Sequence, residues 1–379
     1  MTPNTQSTQN EKPTVTDHIK FYSLTALIAL GIIICYYAGM PTYYLGWIAF
    51  TVAAFSVAGN DAIQTIGTFI ESKRSVPWLP KAIVFCGLLF ITHYIAWTKD
   101  SGEIHFHRLD SFDEPVEFNL LQLLAPIVLV VITRLRAPIS TTFLILGLFG
   151  GSNIEKMLTK SFLGYGIAFG SAIVVWAILP FVNKDEYKED YIPSEKSEKI
   201  WSFLQWISTS FLWMAWLLQD TANIAVFIPR KLSFVEFFFA ISLISFALIL
   251  IIRSNGGTIQ DVVSEKSDVT HSKAATLIDI VYALVLLVFQ YASKVPMSTT
   301  WVFLGLLAGR EIVLHIVTRQ DRPYLETFRT IGKDVILATL GIAISLFIYA
   351  MSYTIYPSEK NQINFNLFKK DMVQVYYNH

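Results

Sequence analysis

Ala58-Gly59-Asn60-Asp61-Ala62-Ile63-Gln64, with Ala137-Pro138-Ile139-Ser140-Thr141-Thr142 further along, is a pattern that this chain writes twice. The second copy reads Leu218-Gln219-Asp220-Thr221-Ala222-Asn223, then Val295-Pro296-Met297-Ser298-Thr299-Thr300. Asp61 and Ser140 are 79 positions apart, and Asp220 and Ser298 are 78 apart. A carboxylamide beside an Asp, or a Pro-x-Ser-Thr-Thr run, is common by chance. Both elements in the same order and register, in an otherwise oily chain, predict an internally duplicated membrane domain.

Of the 379 residues, 53% are hydrophobic and 15% charged, against roughly a quarter charged in soluble domains. Mean hydropathy is +0.49. Apolar stretches at Phe21–Ala38, Leu79–Trp97, Phe162–Val182, Phe234–Ile252, Ala275–Tyr291 and Ile331–Tyr353 approach or reach the roughly 20 residues of a membrane-spanning helix. The expected class is an all-α polytopic protein with about 10–12 membrane segments, multi-pass in the cell (inner) membrane. A net charge of zero gives no basic footprint for nucleic acid, and none is expected as a partner. Cys35 and Cys86 sit in apolar stretches and read as packing residues. The first apolar stretch follows about 20 polar residues and lacks a small-x-small cleavage site, so it reads as a retained helix.

The organisation expected is a polar tail (1–20), an extra transmembrane helix (21–42), a first repeat (43–182), a charged linker (183–199), a second repeat (200–355) and a C-terminal tail (356–379). Asp61, Gln64 and Thr68 share a helical face. The apolar piece after Ser140-Thr141-Thr142 ends by Gly150-Gly151 and is too short to cross, which predicts a discontinuous half-helix. The second half repeats the order, with a short Pro-Ser-Thr-Thr segment before a polar loop at 309–330. With the N-terminus inside, loops 72–81, 134–136, 183–199, 253–274 and 309–330 fall inside and carry, with the tail and Lys333, about 19 of the 29 basic residues. Loop 98–117, with six carboxylates, then faces out. An odd number of crossings per half follows, and so two inverted repeats.

Inverted repeats with broken helices place a binding site near the midplane where the repeats meet. A Pro at a helix start leaves the following N–H groups without intrahelical acceptors, and the hydroxyls of Ser140, Thr141, Thr142, Ser298, Thr299 and Thr300 add donors. Two such ends could replace the hydration of an oxyanion without Arg or Lys. The plainer reading is that they cap ordinary helices. Asp61 and Asp220 are costly inside a bilayer unless they face a partner, an ion or a cavity. With Asn60, Gln64, Gln219 and Asn223 they offer each half one carboxylate and two amide oxygens, suited to Na+, with H+ on the carboxylate as the rival. Cations on the two acids would make entry of an anion favourable in the same low-dielectric space.

Asn60-Asp61-x-x-Gln64 with Gly67-Thr68, Asp220-Thr221-Ala222-Asn223 and the two Pro-x-Ser-Thr-Thr segments resemble the inorganic phosphate transporter (PiT) family, which includes sulfate permeases. The resemblance covers roughly residues 43–350. It implies an inverted-repeat carrier that moves an oxyanion with Na+ or H+, the Ser-Thr-Thr residues holding the anion and the Asn-Asp helices the cations. No other cofactor is implied, and a homodimer is admissible. The chain departs from the family at Gln64 and Gln219, each in place of an Asn, at Val226-Phe227 after the second motif, and at Phe143 and Trp301 after the hydroxyl runs. Phosphate is the expected substrate, with sulfate or another oxyanion as the alternative. A membrane-embedded enzyme is the reading from another class. It would need further aspartates for a Mg2+ diphosphate, where Gln64 and Thr68 stand instead. His105-x-His107 reads as part of a solvated loop, His93 as a hydrogen-bonded core residue, and Trp47, Trp97, Trp176 and Trp201 as interfacial anchors.

Overall fold

The apolar runs fold as helices, and the breaks between them fall at Pro, Gly and charged clusters. The computed structural model describes residues 14–134, 139–150, 153–182, 194–256, 272–317 and 324–356. Helix α1 (Val15–Tyr37) leads, followed by α2 (Thr42–Val57), a π-helical turn (Ala58–Ala62) and α3 (Ile63–Ser72) as one bent rod. Then come α4 (Trp78–Lys99), α5 (Leu120–Arg134), the short α6 (Thr141–Leu144) with a 3-10 turn (Leu146–Leu148), and α7 (Ile154–Val182). The second half comprises α8 (Glu195–Asp220) with the one-turn α9 (Ala222–Ala225), α10 (Phe234–Arg253), α11 (Ser272–Ala292), α12 (Thr299–Val317) and α13 (Tyr324–Ile355). Among the described residues there is no strand. Among the described residues eight helices are long and apolar enough to cross a membrane, and the chain is a multi-pass integral membrane protein.

Several boundaries differ from the sequence expectation. The first helix starts at Val15, inside the stretch read as tail, because Thr14 and Asp17 form a capping box there. The stretch 194–199, read as linker, caps and opens α8: Ser194 accepts from Ser197 N. The second Ser-Thr-Thr segment is not short. It opens a 19-residue helix that absorbs 309–317 of the expected loop. Trp47 and Trp176 are buried at 8% and 3% exposure rather than interfacial. Pro138, most of the charged linker (183–193), the loop 257–271 and the C-terminal tail from 357 lie outside the described residues.

Contacts at the helix ends define two faces. On the basic face Lys73 Nζ donates to Ser202 and Ser272, each at 2.8 Å, and the Arg253 guanidinium lies over Trp78. On the acidic face Leu232 N donates to Gly102 O, Arg230 N to Glu114, and Lys294 pairs with Asp110. The start of α2 is tied to the start of α10 on the acidic side by Tyr43 donating to Glu236 (2.7 Å). The α2–α3 rod therefore runs from acidic to basic face, whereas α8, which bonds Ser272 through Glu198 at its start and ends at Asp220 before Arg230, runs the other way. The same opposition holds for α4 against α10 and for α5 against α11. Helix packing is reciprocal as well. α2 packs on α5 as α8 does on α11, α4 meets α10, and each Ser-Thr-Thr segment packs on the closing helix of the other half, α6 on α13 and α12 on α7. The core thus runs through both halves and across the seam between them.

Candidate functional site

Both Asp motifs sit where a helix is irregular. Asp61 lies in the π turn, which widens the rod by one residue and turns Asn60 and Asp61 inward, both fully buried. Asp220 is the last residue of α8, at the break before α9, and is 1% exposed. Opposite them start α6 and α12. Ser140 accepts from Phe143 N (3.3 Å) and Ser298 from Trp301 N (3.4 Å). These two serine side chains are therefore N-caps, as the plainer reading had it.

The threonines make the contacts between elements. Thr141 donates to Asp61 Oδ2, and Thr299 donates to Asp220 Oδ2 at 2.6 Å. Thr142 donates to the carbonyl of Met297 in the other half (3.2 Å), and Thr300 donates back to the carbonyl of Ile139 (3.5 Å). Ile139 and Met297 hold the same place in the two copies, so the exchange is mutual. Asn60 Nδ2 also donates to Ile139 O (2.9 Å), and Asn223 Nδ2 reaches Asp220 Oδ1 (2.9 Å) and Thr142 Oγ1 (3.4 Å). Tyr282 donates to the Thr299 carbonyl at 2.9 Å. All twelve residues singled out in the sequence are buried, none above 5% exposure.

Two oxygens in this network accept nothing: Gln64 Oε1 and Asn223 Oδ1, both buried. They are equivalent positions, each three residues after its Asp. The amide of Gln64 spends its N–H on Asn60 O (3.2 Å) and leaves its oxygen free. A buried carbonyl oxygen without a donor is costly, and it is the ligand type that a hard cation takes.

Gln219, the counterpart of Asn60, behaves differently. One methylene longer, it donates to Leu286 O (2.7 Å) rather than to Met297, and its oxygen accepts from Arg108 Nη2. Arg108 comes from the acidic-face loop, which the sequence pattern presents as solvated. It is 1% exposed and also donates to Ser293 O (2.7 Å) and Val295 O (3.2 Å). Lys160 of α7 donates to the same two carbonyls. His105 in this loop is likewise buried, at 3% exposure, with Glu103 3.3 Å away, whereas His107 stays half exposed between Asp100 and Asp110. His93 is the hydrogen-bonded core residue expected, between Leu89 O (2.8 Å) and Thr221 Oγ1 (3.0 Å).

A third buried acid was not singled out by the motifs. Asp279 of α11 is fully buried and accepts from Thr68 (2.9 Å) and Thr209. A lone Asp inside the apolar run Ala275–Tyr291 was the available signal.

No family model matches the chain, and no curated protein matches it in sequence. Among solved structures it is similar to one described as "The sodium-dependent phosphate transporter", at 13% identity and a TM-score of 0.58, over 83% of this chain and 98% of that one. At that identity the likeness is one of fold, and it spans both halves of the bundle. The all-α, multi-pass architecture expected from the sequence is thereby met: this chain folds as the sodium-dependent phosphate transporter does.

Proposed function

We propose that the chain is a secondary active transporter of inorganic phosphate, built of two inverted repeats and coupled to Na+ or H+. The opposed helix directions and the reciprocal packing support the inverted relation. The observation that carries the reading is the matched pair of bonds Thr141–Asp61 and Thr299–Asp220, one in each half. A hydroxyl has a single proton to donate. While the carboxylate is charged, it holds that proton. A cation on the carboxylate weakens the acceptor and frees the hydroxyl for an anion, so the anion is bound well only after the cation has entered. Gln64 Oε1 supplies a further cation ligand, and Asn223 Oδ1 is the matching open oxygen beside Asp220. The backbone N–H groups at the starts of α6 and α12 add to the anion's donors.

The name of the structural neighbour favours phosphate and sodium in this scheme. The test is uptake of labelled phosphate into vesicles holding the purified chain, with and without a Na+ or H+ gradient, and with sulfate as competitor. Asp220→Asn and Thr299→Ala are expected to lose cation-dependent uptake. Unchanged uptake in both variants refutes the roles assigned to Asp220 and Thr299, and uptake of sulfate in preference to phosphate moves the substrate.

A further inference from the structure

We propose that Arg108 is a built-in cation of the second half, so that an exchangeable cation is loaded only in the first half, at Asp61 and Gln64. The inference rests on the coupled-carrier reading and deepens it.

A site for a small hard cation needs oxygens, and the sequence offers side-chain amides and unwound backbone carbonyls for it. In the second half those atoms already surround a positive charge. The guanidinium of Arg108 takes Gln219 Oε1 through Nη2, and the carbonyls of Ser293 and Val295 through Nη1. Ser293 and Val295 belong to the unwound stretch between α11 and α12, just before Ser298-Thr299-Thr300. Asp220 follows Gln219 at the end of α8, which brings its carboxylate to the same place as the amide that Arg108 holds. Lys160 donates to the same two carbonyls from α7.

The first half has no such group among the described residues. Asn60 Oδ1, the counterpart of Gln219 Oε1, accepts from the hydroxyl of Thr133 (3.4 Å), and Gln64 Oε1 has no donor. The difference follows from one methylene. Asn60 is short enough to keep its amide on Ile139 O, whereas Gln219 bypasses the equivalent Met297 O for Leu286 O and turns its oxygen to the arginine. A fixed guanidinium neutralises Asp220 without leaving the protein, since an arginine does not lose its charge at working pH. Asn223 Oδ1 remains open in this half and can accept from the hydroxyl of a protonated phosphate.

The experiment counts cations on the purified full chain without any anion. Binding of radiolabelled Na+ is read by equilibrium dialysis, and proton uptake is followed in Na+-free solution. The expected count is one exchangeable cation per wild-type chain, lost in Asp61→Asn and retained in Asp220→Asn. Arg108→Gln is expected to bind a second, which disappears again when Asp220→Asn is added, while Arg108→Lys keeps the count at one. Two cations on the wild type, equal loss in Asp61→Asn and Asp220→Asn, or an unchanged count in Arg108→Gln overturns the inference. The comparison of the two Asp variants needs no change at Arg108, so it decides even where Arg108→Gln fails to fold. No cation bound by any variant overturns the inference and the coupled reading together. Phosphate uptake absent throughout, with the counts as expected, overturns only the choice of phosphate.

Discussion

At the scale of single residues the candidate site is a set of shared protons and unshared lone pairs. Thr141 and Thr299 each have one proton, and each gives it to an acid. Gln64 offers an oxygen that receives nothing. Gln64→Met therefore removes one hydrogen bond of 3.2 Å together with the oxygen proposed above as a cation ligand. The expected cost to stability is about 1 kcal/mol, read as a small shift in thermal unfolding. The cation concentration for half-maximal phosphate uptake should rise about tenfold, as the loss of roughly 1.4 kcal/mol of binding would give. An unchanged cation dependence in the Gln64→Met variant removes Gln64 from the site. That the twelve residues gather in one buried network was legible, because duplication separates a recurrent Asn-Asp or Ser-Thr-Thr from a chance one. Arg108 was not, since one of two bases among six carboxylates reads as loop charge. Only the fold shows that it is drawn in beneath them.

At the scale of elements, glycine sets how close helices come. On α12, Gly305 and Gly309 lie one turn apart, and a Cβ at either would stand 2.4 Å from the carbonyl oxygen of Tyr165 or Phe169 on α7. Backbone meets backbone there, a small-xxx-small contact of the kind that membrane helices use. Gly305→Val is expected to cost about 1–3 kcal/mol or more, because neither backbone can yield as a side chain does. Thermal unfolding should show a marked loss. Gly332→Val, at a glycine with open space around it, serves as control. Equal stability of the two variants contradicts the close contact. Gly46 on α2 is confined in the same way by the carbonyl of Phe227. Helix existence was readable from apolar runs, but the length of α12 was not. Gly309, Arg310 and Glu311 look like a loop, yet Arg310 is 4% exposed inside the bundle. The break after α6 was readable, since Gly150-Gly151 follows too few apolar residues to cross.

At the scale of the whole molecule, charge and direction agree. Arg74 lies on the face that gathers Lys73, Arg253 and Lys273, and Lys294 on the face with Asp110 and Glu114. If the basic face is cytoplasmic, an impermeant thiol reagent should reach Arg74→Cys from inside only and Lys294→Cys from outside only, in a chain whose Cys35 and Cys86 have been replaced. Both side chains are largely exposed, at 50% and 67%. Labelling of both from one side contradicts the two-faced arrangement. The overall order of the bundle was legible in the repeat spacing, whereas the exchange of closing helices between halves was not, because periodicity carries no record of which partner a helix meets. That exchange has a mechanical consequence. With α12 seated backbone to backbone on α7, the two halves are clamped together there. The seam where the acid-bearing rods meet the threonine-bearing ones is held instead by hydrogen bonds. On the carrier reading proposed above, the cargo would ride in that joint, and the two Thr–Asp bonds would also be its latch.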